Sequence, residues 1–164
     1  TYARGKLILW TSKSGIDDIK NTLLMGKDFR HLAVANPKLS PYGMAAQQVM
    51  IKLDVWPRLQ SKLVRGENIA QTFQFVHSGN AGLGFVAYSQ VINPGRSLQG
   101  SVGVQPESLH SPIDKQAVLL TDKQAWKDLM AFLEGSLARQ IIQDYGYDVP
   151  WYLANKIWPH CGWL

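Results

Sequence analysis

The sequence predicts an α/β fold in which a largely parallel sheet is flanked by helices, and three observations carry that expectation. First, KLILW at 6–10, LAVA at 32–35 and LGFVAY at 83–88 are apolar runs too short for helices and rich in branched or aromatic side chains. Second, segments such as 41–53 and 69–77 return apolar residues at helical spacing. Third, the turns leading into these helices end in capping residues, so the repeating unit is strand, turn, helix.

The first strand, 6–10, closes in the turn cluster 11–15. Asp17 and Asp18 then open a short helix with Ile19, Leu23 and Leu24 inward, ending near Gly26. The second strand, 32–35, stops at Asn36-Pro37, because proline has no N–H for a ladder and biases its neighbour away from helix. Ser40 is expected to cap the next helix, with Pro41 at its first position and the small Gly43 close behind. Ala46, Val49, Met50 and Leu53 form its inner face, and Gln47, Gln48 and Lys52 the outer one. A short helix with Pro57 near its start leads to a brief strand at 63–65. Gly66-Glu67-Asn68 is a turn whose Asn68 caps a helix carrying Ile69, Phe73 and Val76, stopped by Ser78-Gly79.

The strand at 83–88 follows, introduced by Gly79, Gly82 and Gly84, with Ser89 as a further cap. Those glycines precede a strand with spacing G-x-x-G-x-G, which excludes the dinucleotide fingerprint G-x-G-x-x-G that follows one. A turn at Pro94-Gly95, a strand at 98–104 and a connection bracketed by Pro106 and Pro112 come next. The reading then places a strand at 117–120, a helix capped by Asp122 with Trp126, Leu129, Met130 and Leu133 buried, and a helix capped by Ser136 with Leu137, Ile141 and Ile142 on one side. The final stretch, 151–164, holds three of the six tryptophans and is expected to pack on its own domain or dock on a partner.

With 164 residues, 46% hydrophobic and 18% charged, the chain can bury a core as one domain or two small lobes. It contains no apolar run long enough to insert in a membrane as a helix. A net charge of +5 favours anionic ligands, but the cations are dispersed and never form a dense basic run with interleaved aromatics, which argues against nucleic acid as a partner. The lone Cys161 excludes an intramolecular disulfide and a cysteine-built zinc site. The four histidines are scattered without metal-ligand spacing, and no nucleophile elbow is present, so neither a metal site nor a catalytic residue is expected and the chain reads as a non-enzyme. The chemistry that remains belongs to helix starts. Their unpaired N–H groups and partial positive charge hold oxyanions without a cationic side chain.

At ANPKLSPYGMAAQQVM, RGENIAQTFQFVHSGNAGLGFVAYSQ, PESLHSPIDKQAVLL and FLEGSLARQIIQDYGY the chain resembles the periplasmic molybdate-binding proteins of molybdate ABC transporters, which belong to the type II periplasmic binding proteins. The likeness covers most of 1–149. It implies a periplasmic-binding-protein-like lobe with a mixed, mostly parallel sheet, plus C-terminal helices from an incomplete first lobe. It also implies molybdate or tungstate as ligand, no cofactor, and an ABC transporter permease as partner. Carried over position by position, the ligand contacts fall on Tyr42 and Ile69, with Ser40 and Asn68 as supporting caps. A tyrosine contact known in some members aligns with Ala87, beside Tyr88.

The same resemblance divides the chain into a ligand-binding lobe at 1–112, returning helices at 113–149 and an atypical tail at 150–164. Members of the family begin with further strand-helix units bearing Ser and Thr ligands, which have no counterpart here. The expectation is therefore a truncated binding protein, or alternatively a non-binding relic acting through self-association. Helices deprived of their sheet should bury their apolar faces in a homo-oligomer. The resemblance implies a periplasmic location; without a visible signal peptide a cytoplasmic one stays open.

Overall fold

The computed structural model describes residues 1–16, 18–20, 22, 29–95 and 97–150. The helix expected at 17–26 lies mostly outside these residues, and the tail at 151–164 lies wholly outside them. The strands are β1 (Ala3–Gly5), β2 (Leu7–Thr11), β3 (Leu32–Ala35), β4 (Leu63–Gly66), β5 (Leu83–Ala87), β6 (Ser101–Val104) and β7 (Ile113–Lys115). The α-helices are α1 (Pro41–Lys52), α2 (Trp56–Leu59), α3 (Ile69–His77), α4 (Gln124–Glu134) and α5 (Ser136–Asp144).

Five strands form the central sheet in the order β4-β3-β5-β2-β6. The sheet is mixed, with β3 parallel to both β4 and β5. On the other side β2 runs antiparallel to β5 and to β6. Four of the five strands share a direction, as expected of a mixed, mostly parallel sheet, and β2 alone is reversed between β5 and β6.

Both faces of the sheet are covered, which is why its strands read as continuous apolar runs rather than alternating ones. Leu7, Leu9, Val34 and Phe85 face α1, meeting Ala46, Val49 and Met50 in one core. Ile8, Trp10, Ala33 and Val86 form a second core with Val76 of α3. Successive β2 residues thus serve opposite cores, as the two-residue period of a strand requires.

A two-stranded ribbon, β1 paired antiparallel with β7, leaves the sheet beside the start of β2. Arg4 ties this ribbon together. Its Nε lies 2.7 Å from Asp114 Oδ1 and one terminal nitrogen 3.3 Å from Glu107, while its main chain exchanges hydrogen bonds with Asp148. The hydrogen bond to Asp114 is the main reason its guanidinium holds its proton even more firmly than usual.

Beyond the ribbon the sequence reading needs several corrections. Residues 117–120 are not a strand; β7 takes the pairing with β1 at 113–115, and Val118 and Leu120 stand 76% and 92% exposed. An apolar run becomes a strand only where a neighbour accepts its ladder. Asp122 does not cap α4, whose N-cap is Lys123; Asp122 instead lies 3.9 Å from Lys127. Gly135, not Ser136, occupies the N-cap of α5. The stripe expected to be buried on α4 is open, with Trp126 half exposed and Leu129 close to it. Only 101–104 of the strand expected at 98–104 pairs, and Tyr88 leaves β5 to begin a turn of 3₁₀ helix.

Candidate functional site

β3 and β4 are adjacent and parallel, and each feeds a helix from its carboxyl end. Ala35 pairs with Gly66 at that edge, and the Asn36 amide donates to the Gly66 carbonyl at 2.7 Å. The starts of α1 and α3 therefore lie side by side, in the position where open α/β sheets hold ligands.

At α1, Ser40 is the N-cap residue in extended conformation and is buried, but its side chain makes no cap hydrogen bond. That corrects the capping role expected of its hydroxyl. The turn is closed instead by Asn36, whose side-chain oxygen accepts from the Lys38 amide at 3.0 Å and whose carbonyl accepts from Ser40 at 2.9 Å. Pro41 has no N–H, and Met44 is the first residue to bond back, to the Ser40 carbonyl. The amides of Tyr42 and Gly43 are left without a protein acceptor among the described residues. Gly43 is obliged to be small, since a Cβ there would overlap the Ala35 carbonyl.

At α3, Asn68 caps as the sequence reading expects. Its side-chain oxygen accepts from the Gln71 amide at 2.9 Å, and its carbonyl accepts from Thr72. The amides of Ile69 and Ala70 remain without a protein acceptor among the described residues. Two pairs of free donors thus stand at neighbouring strand ends. An oxyanion satisfies such donors with no need of a lysine.

Ala87, the last residue of β5, is on the same edge, because β5 runs parallel to β3. It offers no side-chain donor. Tyr88 is turned to packing, its ring lying against Gly146 just past α5. The sequence reading missed Gln90, whose amide oxygen accepts from the Ala87 amide at 3.1 Å while its nitrogen donates to the Ile69 carbonyl at 3.1 Å. This one side chain links the end of β5 to the first turn of α3. It follows no periodic pattern and so left no trace in the sequence.

The Tyr42 side chain is only 5% exposed and lies in the core. Burial is the first cause that pushes its phenol above the ordinary tyrosine range, with the charge of Tyr147 second. The Lys115 ammonium sits 5.2 Å from its ring centre. Among the described residues no group of three His, Cys, Asp or Glu side chains could hold a metal ion. No helix there is long and apolar enough to cross a membrane.

The family model for bacterial extracellular solute-binding proteins matches residues 1–148. The chain belongs to that family. Within this solute-binding family, the molybdate-binding protein ModA of Azotobacter vinelandii is 47% identical over 150 residues, covering 90% of this chain and 60% of the relative. ModA of Rhodobacter capsulatus is 45% identical over 150 residues, covering 90% and 58%. The chain thus spans about 60% of the length of the curated relatives it matches. Among solved structures, the periplasmic molybdate-binding protein of Azotobacter vinelandii superposes with a TM-score of 0.83 at 37% identity, over 92% of this chain and 67% of the other. A substrate-binding domain of a molybdenum ABC transporter from Clostridium difficile, at 24% identity and TM-score 0.67 over 91% and 65%, shares the fold.

Proposed function

We propose that this solute-binding family member binds molybdate or tungstate at the paired starts of α1 and α3. The observation that carries the reading is the set of four amides, at Tyr42, Gly43, Ile69 and Ala70, that lack protein acceptors on adjacent parallel strands. The names of the relatives at 45% and 47% identity support the choice of oxyanion. Fixed amides select by position and shape, whereas a lysine in their place would hold many anions alike. Residues 1–112 are read as the ligand-binding lobe, 113–149 as helices returning from it, and 150–164 as an added tail. The corresponding biology is delivery of the oxyanion to an ABC transporter permease, in the periplasm.

Calorimetric titration with molybdate tests this. Dissociation constants near or below micromolar, about −8 kcal/mol, support it, and no heat at millimolar ligand overturns it. Tyr42→Pro removes one of the four amides and should weaken binding; unchanged affinity would place the site elsewhere. We also propose that the open faces of α4 and α5, where Trp126, Phe132, Leu137 and Ile141 are exposed, associate in a homo-oligomer. A monomer by light scattering at high micromolar concentration would overturn that part alone.

A further inference from the structure

Gly5 ends β1, and its backbone does not occupy the left-handed region, so glycine is not needed there for conformational reasons. Space is the reason. A Cβ at this position would overlap the Tyr42 phenol oxygen and come within 3.0 Å of Cζ and 3.4 Å of Ile113 Cγ2. The Tyr42 ring is therefore seated in the ribbon, with Gly5 of β1 beneath the hydroxyl and Lys115 of β7 against the face.

Tyr42 also carries one of the free amides at the start of α1. Its main chain and its side chain consequently report on different things. The amide points to the helix start, and the ring is fixed by the connection that joins the sheet to α4 and α5. The neighbouring Gly43 lies so close to the end of β3 that a Cβ there would overlap the Ala35 carbonyl, so the first turn of α1 is seated against that strand right beside the residue whose ring Gly5 accommodates.

We propose that Gly5 is a positioning residue for the oxyanion site: by leaving room for the Tyr42 phenol, it sets where the first turn of α1 presents its amides. The inference rests on the function proposed above. It predicts that Gly5→Ala weakens molybdate binding at least tenfold per folded molecule. The NMR signals of the Tyr42 ring, assigned by their loss in Tyr42→Phe, should shift in the same variant. The double variant Gly5→Ala/Tyr42→Phe removes the overlapped oxygen while keeping the amide, and should recover most of the lost affinity. Packing alone would lower the thermal midpoint of Gly5→Ala without that rescue of affinity.

Native affinity in Gly5→Ala overturns the inference, as does a double variant no better than the single one. If the native chain gives no heat with molybdate, the proposed function fails. The ring signals then decide for Gly5: a shift in Gly5→Ala upholds its positioning of Tyr42, and none overturns it.

Discussion

Ser40 and Asn68 hold equivalent positions before α1 and α3, but only Asn68 uses its side chain to close the first turn. Asn36 takes the Lys38 and Ser40 amides in the turn before α1, and the Ser40 hydroxyl leaves the Tyr42 and Gly43 amides, which a capping side chain would take, without a protein acceptor among the described residues. Asn68→Ala should therefore cost about 1 kcal/mol, and Ser40→Ala much less, in urea unfolding. Equal losses would show that the Ser40 hydroxyl caps after all. A candidate capping residue is legible in sequence; whether its side chain turns onto the first free amides is not, because that depends on the rotamer the folded turn selects.

Tyr42 adds a dependence on pH. Its buried phenol keeps its proton to higher pH in the folded chain than in the unfolded one. The associated stability is complete below about pH 10, where an unfolded tyrosine ionises, and drains away as pH rises further. Between pH 8 and 11 the urea midpoint of the native chain should fall faster than that of Tyr42→Phe. Parallel curves would mean that the phenol is not buried in solution.

At the scale of elements, the polar face of α1 does more than meet water. Gln48 accepts from the Ser111 amide at 2.8 Å and donates to its hydroxyl at 3.2 Å, while the Lys52 ammonium reaches the Ser108 carbonyl at 2.7 Å. The helix that carries Tyr42 is thereby fastened to the connection between β6 and β7. Gln48→Ala should raise the hydrogen-exchange rate of the Ser111 amide and cost about 1 kcal/mol. Unchanged exchange at Ser111 would show the tie to be ornamental. Helical spacing put Gln48 and Lys52 on the outer face correctly, and gave no hint of what returns to meet them. The same limit explains residues 117–120: apolarity marked them as a strand, but the partner strand that would have made them one is not beside them.

For the molecule as a whole, the alternation of apolar runs and amphipathic segments was enough to reveal the layered α/β order, since burial on both sheet faces writes itself into composition. Strand direction was less legible. Whether β2 runs with β5 or against it depends on which edge the chain enters, and no local pattern records that. The candidate site was legible in part. Tyr42 and Ile69 stand in the first helical turns, and Asn68 at the cap, that capping chemistry predicts, whereas Gly5 and Gln90 meet their partners across many residues of chain.

The exposed stretch at 116–123 also makes the chain divisible. It is flanked by Lys115 and Lys123 and has no ladder to protect it, so trypsin should make its earliest cut among the described residues after Lys123. An earlier cut after the exposed Arg65 would contradict this. The portion beyond the cut keeps a grip on the rest through the paired main chains of Arg4 and Asp148, the ion pair of Lys6 with Asp148 at 2.8 Å, and the seat of Gly146 against Tyr88. The connection at 116–123 is thus a natural seam, at which the gene could be split into a longer and a shorter piece that find each other again.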